Sequence, residues 1–312
     1  MTVDSFLKSF DQITCPPTLL KLAKLSETKP RVAIADSANQ VVMLSAKMGY
    51  EEGIMTPVFV GDEKKTFEIA SEINWDISKF DSFNASNELE AANLASKICG
   101  DGNAEILMKG NVHSDVFIKA AIASKNNLRL KGRLVHMFYI TPPGSNNGVM
   151  VSDAAVNVAP NEHTKRQMTK LVVEVLKKIG ISNPKIAFLS ASESVIESMP
   201  STVIAKNLSD WASENIEGAE FEGPLALDLI LSAEAARVKG ILNSKVCGLA
   251  DGIIVPDIVS GNTLFKSLVY LGAGCAAGLV LGAKVPLLLT SRADPPAARI
   301  ASIALASISL TR

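Results

Sequence analysis

The chain has 312 residues, with 31 basic and 32 acidic side chains and 47% apolar residues. That length provides for about two domains with cores of their own, and so even a charge balance argues against a general nucleic-acid or membrane-surface binder. Four cysteines, at 15, 99, 247 and 275, are far apart and form no C-x-x-C, and Asp4, Lys8 and Asp11 interrupt the stretch where a signal peptide would be apolar; free thiols in a cytoplasmic protein are the expectation.

Strand-like and helix-like segments alternate along the chain. RVAIA (31–35) predicts a short buried strand, with Asp36 or Ser37 capping a helix through Gly49. PVFV (57–60) predicts a second strand closed by Gly61-Asp62. EILM (105–108) predicts another, followed by the Lys109-Gly110 turn and a helix from about Ser114. RLVHMFYI (133–140) and GVMVSD (148–153) flank the turn-rich PPGSNNG and predict an antiparallel hairpin. A helix follows over 162–178, then a strand at KIAFLS (185–190). Pro224 suits the first turn of a helix whose Leu225, Leu229, Ala233 and Ala236 share one face. GIIV (252–255) and VPLLLT (285–290) predict buried strands, and a last helix follows Pro295-Pro296. The uncharged run between Lys266 and Lys284, with glycines at 274, 278 and 282, is slightly short for a membrane span and reads as a buried helix–loop–strand passage. This alternation predicts an α/β protein with mostly parallel sheets covered by helices on both faces.

In open α/β sheets a ligand binds outside the carboxyl ends of the strands. Four loops qualify. TSRADPP (290–296) runs from a strand into a helix, where backbone N–H groups and the planar fork of Arg292 suit an anion, and Ser291 offers a neutral donor; Asp294 could equally cap the helix. LMKGNVHSDVFIKA (107–120) places Lys109 and Lys119 around a helix start. VPDIVSGNTLFKS (255–267) carries Asn262, a carbonyl- or phosphate-orienting amide or a turn residue, and Lys266. SDAAVNVAP (152–160) puts Asp153 and Asn157 after a strand, where an Asx turn also explains them.

Other chemistries lack their residues. His113, His136 and His163 have no metal-ligand spacing, so no metal site is expected. Neither G-x-x-x-x-G-K-[ST] nor a G-x-G-x-x-G after the first strand occurs, which disfavours nucleoside triphosphate and nicotinamide chemistry.

Taken in order, ILMKG (106–110), EGPLALD (222–228), ADGIIVPDIVSGNTLFK (250–266) and LTSRADPPAARIASIALA (289–306) resemble the phosphate acetyltransferase and phosphate butyryltransferase family, with S-R-[AS]-D and ILMKG closer to the butyryltransferase branch. The resemblance implies two three-layer αβα domains around an interdomain cleft, as in isocitrate and isopropylmalate dehydrogenases, divided as 1–141 plus 287–312 and 142–286. It implies exchange of a butyryl or acetyl group between coenzyme A and inorganic phosphate, in a homodimer or larger homo-oligomer. Coenzyme A is then a substrate and no cofactor is needed. The family's Ser-Arg pair falls on Ser291-Arg292, its Gly-Asn and Lys on Gly261-Asn262 and Lys266, and its phosphate-binding arginine on Lys119. The family aspartate seven residues after the serine is here Ala298, leaving Asp294 as the nearby carboxylate. A catalytically idle acyl-CoA-binding or sensing protein is the alternative that this departure motivates.

Overall fold

The described residues of the computed structural model are 13–25, 29–289 and 294–311. They divide into two units. The inserted unit is Val135–Gly274; the split unit holds the described residues up to Leu134 and those from Cys275 onward. Each crossing thus comes one strand earlier than the expected 141/142 and 286/287. Strand partners fit the difference: Met137–Ile140 pair with Val149–Ser152, and Val280 pairs with Leu287.

In the split unit, numbering elements along the whole chain, the strands are β1 (Arg31–Ala35), β2 (Thr56–Gly61), β3 (Ser82–Asn84), β4 (Ile106–Lys109), β10 (Cys275–Leu281) and β11 (Leu287–Leu288). Their order is β3-β2-β1-β4-β11-β10. All neighbours are parallel except β10–β11. Val32, Ala33, Ile34 and Ala35 have no exposed surface, as a central parallel strand covered on both faces requires. The helices are α1 (Pro17–Lys24), α2 (Gln40–Glu51), α3 (Glu63–Glu72), α4 (Glu88–Gly100), α5 (Ser114–Ile122) and α11 (Pro296–Ser309). Asn39, not Asp36 or Ser37, caps α2: its Oδ1 accepts from the N–H groups of Val41 (3.0 Å) and Val42 (3.4 Å). Every residue of α11 from Ala298 to Ser309 is buried, which matches a helix that is apolar or small on nearly every side. Ser302 there ties helix to sheet, accepting from Gly278 N (2.9 Å) while donating to Ala298 O (2.8 Å).

The inserted unit has β5 (Val135–Thr141), β6 (Val149–Ser152), β7 (Lys185–Leu189), β8 (Glu220–Leu225) and β9 (Gly252–Ile254) in the order β5-β6-β9-β7-β8. The predicted hairpin is β5–β6, and the other pairs are parallel. Its helices are α6 (Glu162–Lys178), α7 (Pro200–Asn215), α8 (Leu227–Leu231), α9 (Ala233–Val238) and α10 (Ile258–Tyr270). Pro224 is not in a helix but near the end of β8, and the expected helix is two short ones, the second capped by Ser232. The lack of an N–H at Pro224 is tolerated because β8 ends the order within this unit and needs no outer partner. The glycine-rich run from Lys266 is the end of α10, a turn and β10, as expected, and no helix among the described residues is long and apolar enough to cross a membrane.

His136 on β5 is fully buried, its ring centroid 4.2 Å from that of Phe138, and its Nδ1 meets no hydrogen-bond partner among the described residues. Burial pushes its pKa down to about 4, against the opposing pull of the Asp153 carboxylate. A folded-state value below the unfolded one makes protonation favour unfolding, so this stabilisation is complete above about pH 6.5 and is lost as pH falls towards 4. The loss should amount to roughly 3 kcal/mol at about 1.4 kcal/mol per pKa unit. Urea unfolding at pH 7.5 and 4.5 should show that drop in the wild-type chain and a clearly smaller one in His136→Phe.

Candidate active site

In the split unit the chain moves from β1 to β2 through α2, then from β3 back across β1 to β4 through α4. Right-handed crossovers in opposite directions put their helices on opposite faces, which opens a crevice at the carboxyl ends of β1 and β4. Asp36 and Lys109-Gly110-Asn111 stand there. Gly110 N donates to Ala35 O (2.9 Å) and Asn111 N to Asp36 O (2.8 Å), so the two strand ends are bonded directly. A Cβ at position 110 would lie 2.2 Å from Asp36 O and 2.5 Å from Ala35 O; only glycine fits.

Asp36 itself has φ 61°, a left-handed conformation that non-glycine residues seldom adopt. Its half-buried carboxylate accepts from Ala38 N and Asn111 Nδ2, both at 3.3 Å. Gly61, at the end of β2, would bring a Cβ to 3.1 Å from its Oδ1. Burial raises the pKa of this carboxyl, partly offset by those two hydrogen bonds and by Lys65, while Glu88 adds to the rise.

β11 ends at the same place. Leu287 and Leu288 run parallel beside Leu107 and Met108, so the chain leaves the sheet next to Lys109, which is buried. Ser291 and Arg292 lie outside the described residues. Asp294 follows them, half-buried; it does not cap α11, whose N-cap is Pro295 without a side-chain bond. Its charge acts instead on Arg299, a buried guanidinium whose Nη1 donates to Ser45 Oγ (3.3 Å). Ala298 is buried in the same helix. Lys119 is on the exposed side of α5, paired with Asp115 at 3.1 Å.

In the inserted unit Asp153 follows β6 and is buried. Its Oδ1 accepts from the N–H groups of Ala155 and Val156 (2.9 Å each), the Asx turn. Its Oδ2 accepts from His136 N (3.0 Å) and Asn157 Nδ2 (2.7 Å). Four donors fill this carboxylate, so it organises the loop. Gly261 presses on the same loop, since a Cβ there would lie 2.3 Å from Asp153 O. Asn262 is inside α10 rather than in a turn or cap, and its Nδ2 donates to Ala154 O (3.1 Å); the cap is Asp257, which accepts from Ser260 N at 2.8 Å. Lys266, further along α10, is exposed.

Two charged groups, one after β1 and one in the first turn of α6, lie outside what the sequence patterns single out. Asp36 has the ordinary place of a cap, although Asn39 three residues on is an equally good one. Lys165 is 4% exposed, with Asp257 and Glu162 as its charged neighbours, and burial lowers its pKa. Its signal was the helical spacing with Met168, Thr169, Val172 and Leu176, which sets a lysine on the buried stripe of α6.

Mostly parallel sheets with ionisable side chains gathered at their carboxyl ends define an α/β enzyme. The family described as phosphate acetyl/butaryl transferase matches residues 85–307. A phosphate acetyltransferase of Rhizobium meliloti is 37% identical over 291 residues, 93% of this chain and 92% of its own. A phosphate butyryltransferase of Clostridium acetobutylicum is 33% identical over 303 residues, covering 97% and 98%. The crystal structure of a branched-chain phosphotransacylase from Enterococcus faecalis V583 superposes with a TM-score of 0.78 at 30% identity, over 90% of this chain and 98% of that one. The chain belongs to the phosphate acetyl/butyryl transferase family and is a phosphate acyltransferase.

Replacing Asp153 by alanine strands four donors around a buried cavity. The expected cost is roughly 3 kcal/mol or more in urea unfolding, far above that of breaking an exposed pair such as Lys119–Asp115.

Proposed function

We propose that the chain catalyses acyl-CoA + phosphate = acyl phosphate + coenzyme A with a short acyl group, by direct transfer in a ternary complex. The observation that supports the site assignment is the β4–β11 register, which ends β11 beside Lys109 and the bonded ends of β1 and β4, a few residues before Ser291-Arg292 in the sequence. Phosphate needs a fork of donors and positive charge; Arg292 supplies the fork, and Lys109 and Lys119 supply charge, while Lys266 is the candidate cation of the inserted unit. Ser291 donates to the thiolate or to the oxyanion of the tetrahedral intermediate. Asp294, beside Arg299, fits a part in fixing the loop's exit into α11. Asp153 and Asn262 hold the loop after β6 in the inserted unit.

Direct transfer also suits the cysteines. Burial pushes Cys15 up to about 11 and Cys99 and Cys275 to about 12, and raises Cys247, so none offers the thiolate that a cysteinyl intermediate needs. We infer a cytoplasmic homodimer or larger homo-oligomer. Leu231, Val238, Leu242 and Leu249, all exposed on one stretch of the inserted unit, support association.

Buried Ala298 favours one second reading, an acyl-CoA-binding protein without turnover. Phosphate-dependent release of coenzyme A from butyryl-CoA, propionyl-CoA and acetyl-CoA separates the two. Turnover supports the transferase, whereas thermal stabilisation by acyl-CoA without turnover supports the binder. In the transferase, Arg292→Ala should lower kcat/KM about a hundredfold or more, since a charged partner of phosphate worth about 3 kcal/mol is gone; unchanged kinetics would remove Arg292 from the site.

A further inference from the structure

We propose that the carboxylate of Asp36, at the β1/β4 crevice, is the base that takes the proton from the thiol of coenzyme A. The proposal rests on the transferase reading above and supplies its missing proton acceptor. In the direction of thioester formation, the S–H proton passes to an Asp36 carboxylate oxygen and the sulfur electron pair attacks the carbonyl carbon of the acyl phosphate. The tetrahedral intermediate then collapses, the bond from that carbon to the phosphate oxygen breaks, and inorganic phosphate leaves with the electron pair. In reverse, phosphate attacks the thioester and the departing thiolate recovers its proton from the Asp36 carboxylic acid.

Place and conformation both point to this residue. Asp36 is the first residue past β1 at the switch in strand order, where open α/β sheets bind ligands. Its φ of 61° is the sort of backbone outlier that gathers at functional sites. The surroundings are shaped around it: Gly110 leaves room for its carbonyl and Gly61 for its Oδ1. A carboxylate has about four acceptor positions, and among the described residues two are used, each by a long 3.3 Å bond. The other site carboxylates are committed elsewhere. Asp153 is filled by four donors, Asp294 faces Arg299, and Asp115 is paired with Lys119.

The charged groups around Asp36 also suit a base. Lys65 reaches it from α3 and Glu88 from the start of α4, the latter hydrogen-bonded to His113 at 2.8 Å. Lys109 ends the neighbouring strand, in register with Ala35. Burial dominates and raises the carboxyl, which makes it a stronger base than an exposed aspartate.

The test is the pH dependence of thioester formation from acyl phosphate and coenzyme A, from pH 6 to 9.5, in wild type, Asp36→Asn and Asp294→Asn. Asparagine tolerates the left-handed conformation, so Asp36→Asn should keep its Tm. Its kcat should fall at least about a hundredfold at pH 7 with little change in KM, then rise about tenfold per pH unit towards the thiol's own ionisation near 8.5. Asp294→Asn should keep the wild-type profile shape. Asp36→Gly, which suits the same φ, should regain activity with added formate, and this holds as a second readout if the asparagine variant folds poorly. A wild-type profile in Asp36→Asn, or a loss equal at every pH with no formate rescue in Asp36→Gly, overturns the proposal. An inactive wild-type enzyme overturns the transferase reading itself.

Discussion

Two backbone hydrogen bonds, Gly110 N to Ala35 O and Asn111 N to Asp36 O, join the ends of β1 and β4 where the strand order reverses. Much of the split unit follows from them. The strands approach so closely past their last residues that position 110 can carry no side chain. The chain after β1 must turn out of the sheet within one residue, and Asp36 does so in the left-handed conformation. Helix α2 therefore starts later than the first polar residue, at the Asn39 cap. An aspartate is one of the few side chains that accepts this backbone geometry without glycine's entropic cost, and it leaves a carboxylate at the crevice.

Electrostatics at the strand ends then divides the work. In the proposed reaction the cations serve the phosphate: Lys109 beside the end of β11, and Arg292 a few residues further along the sequence. Neutral and acceptor groups belong to the acyl and thiol ends of the reaction. The thiol of coenzyme A is near pKa 8.5, so only a modest push is needed, and one carboxylate raised by burial supplies it.

The fold was legible where a single period decided the matter. RVAIA, the β5–β6 hairpin and α6, whose ends at Glu162 and Lys178 match the expectation, each combine a clean hydrophobic pattern with polar punctuation. Pro224 misled because its N1 preference is a local propensity, while β8 is fixed by pairing to β7. Of the expected strand at 285–290, whose last residue lies outside the described residues, Leu287–Leu288 pair, since strand length depends on which neighbours it meets, and no local pattern encodes that. The site was half legible. Lys109 and Asp153 stand at strand ends as expected, but the saturation of Asp153 and the commitment of Asn262 to Ala154 O are facts of tertiary structure. Asp36 stayed hidden because an aspartate after a strand and before a helix has an ordinary role as a cap.

The central claim, that substrates meet at the carboxyl ends of β1, β4 and β11, is most directly tested by amide hydrogen exchange with coenzyme A and phosphate bound together. The account predicts slowed exchange in the peptides that hold residues 36–39 and 110–114, relative to free protein, with the outer residues of β3 unchanged. Exchange at those two loops indifferent to both ligands, with protection elsewhere, would contradict it.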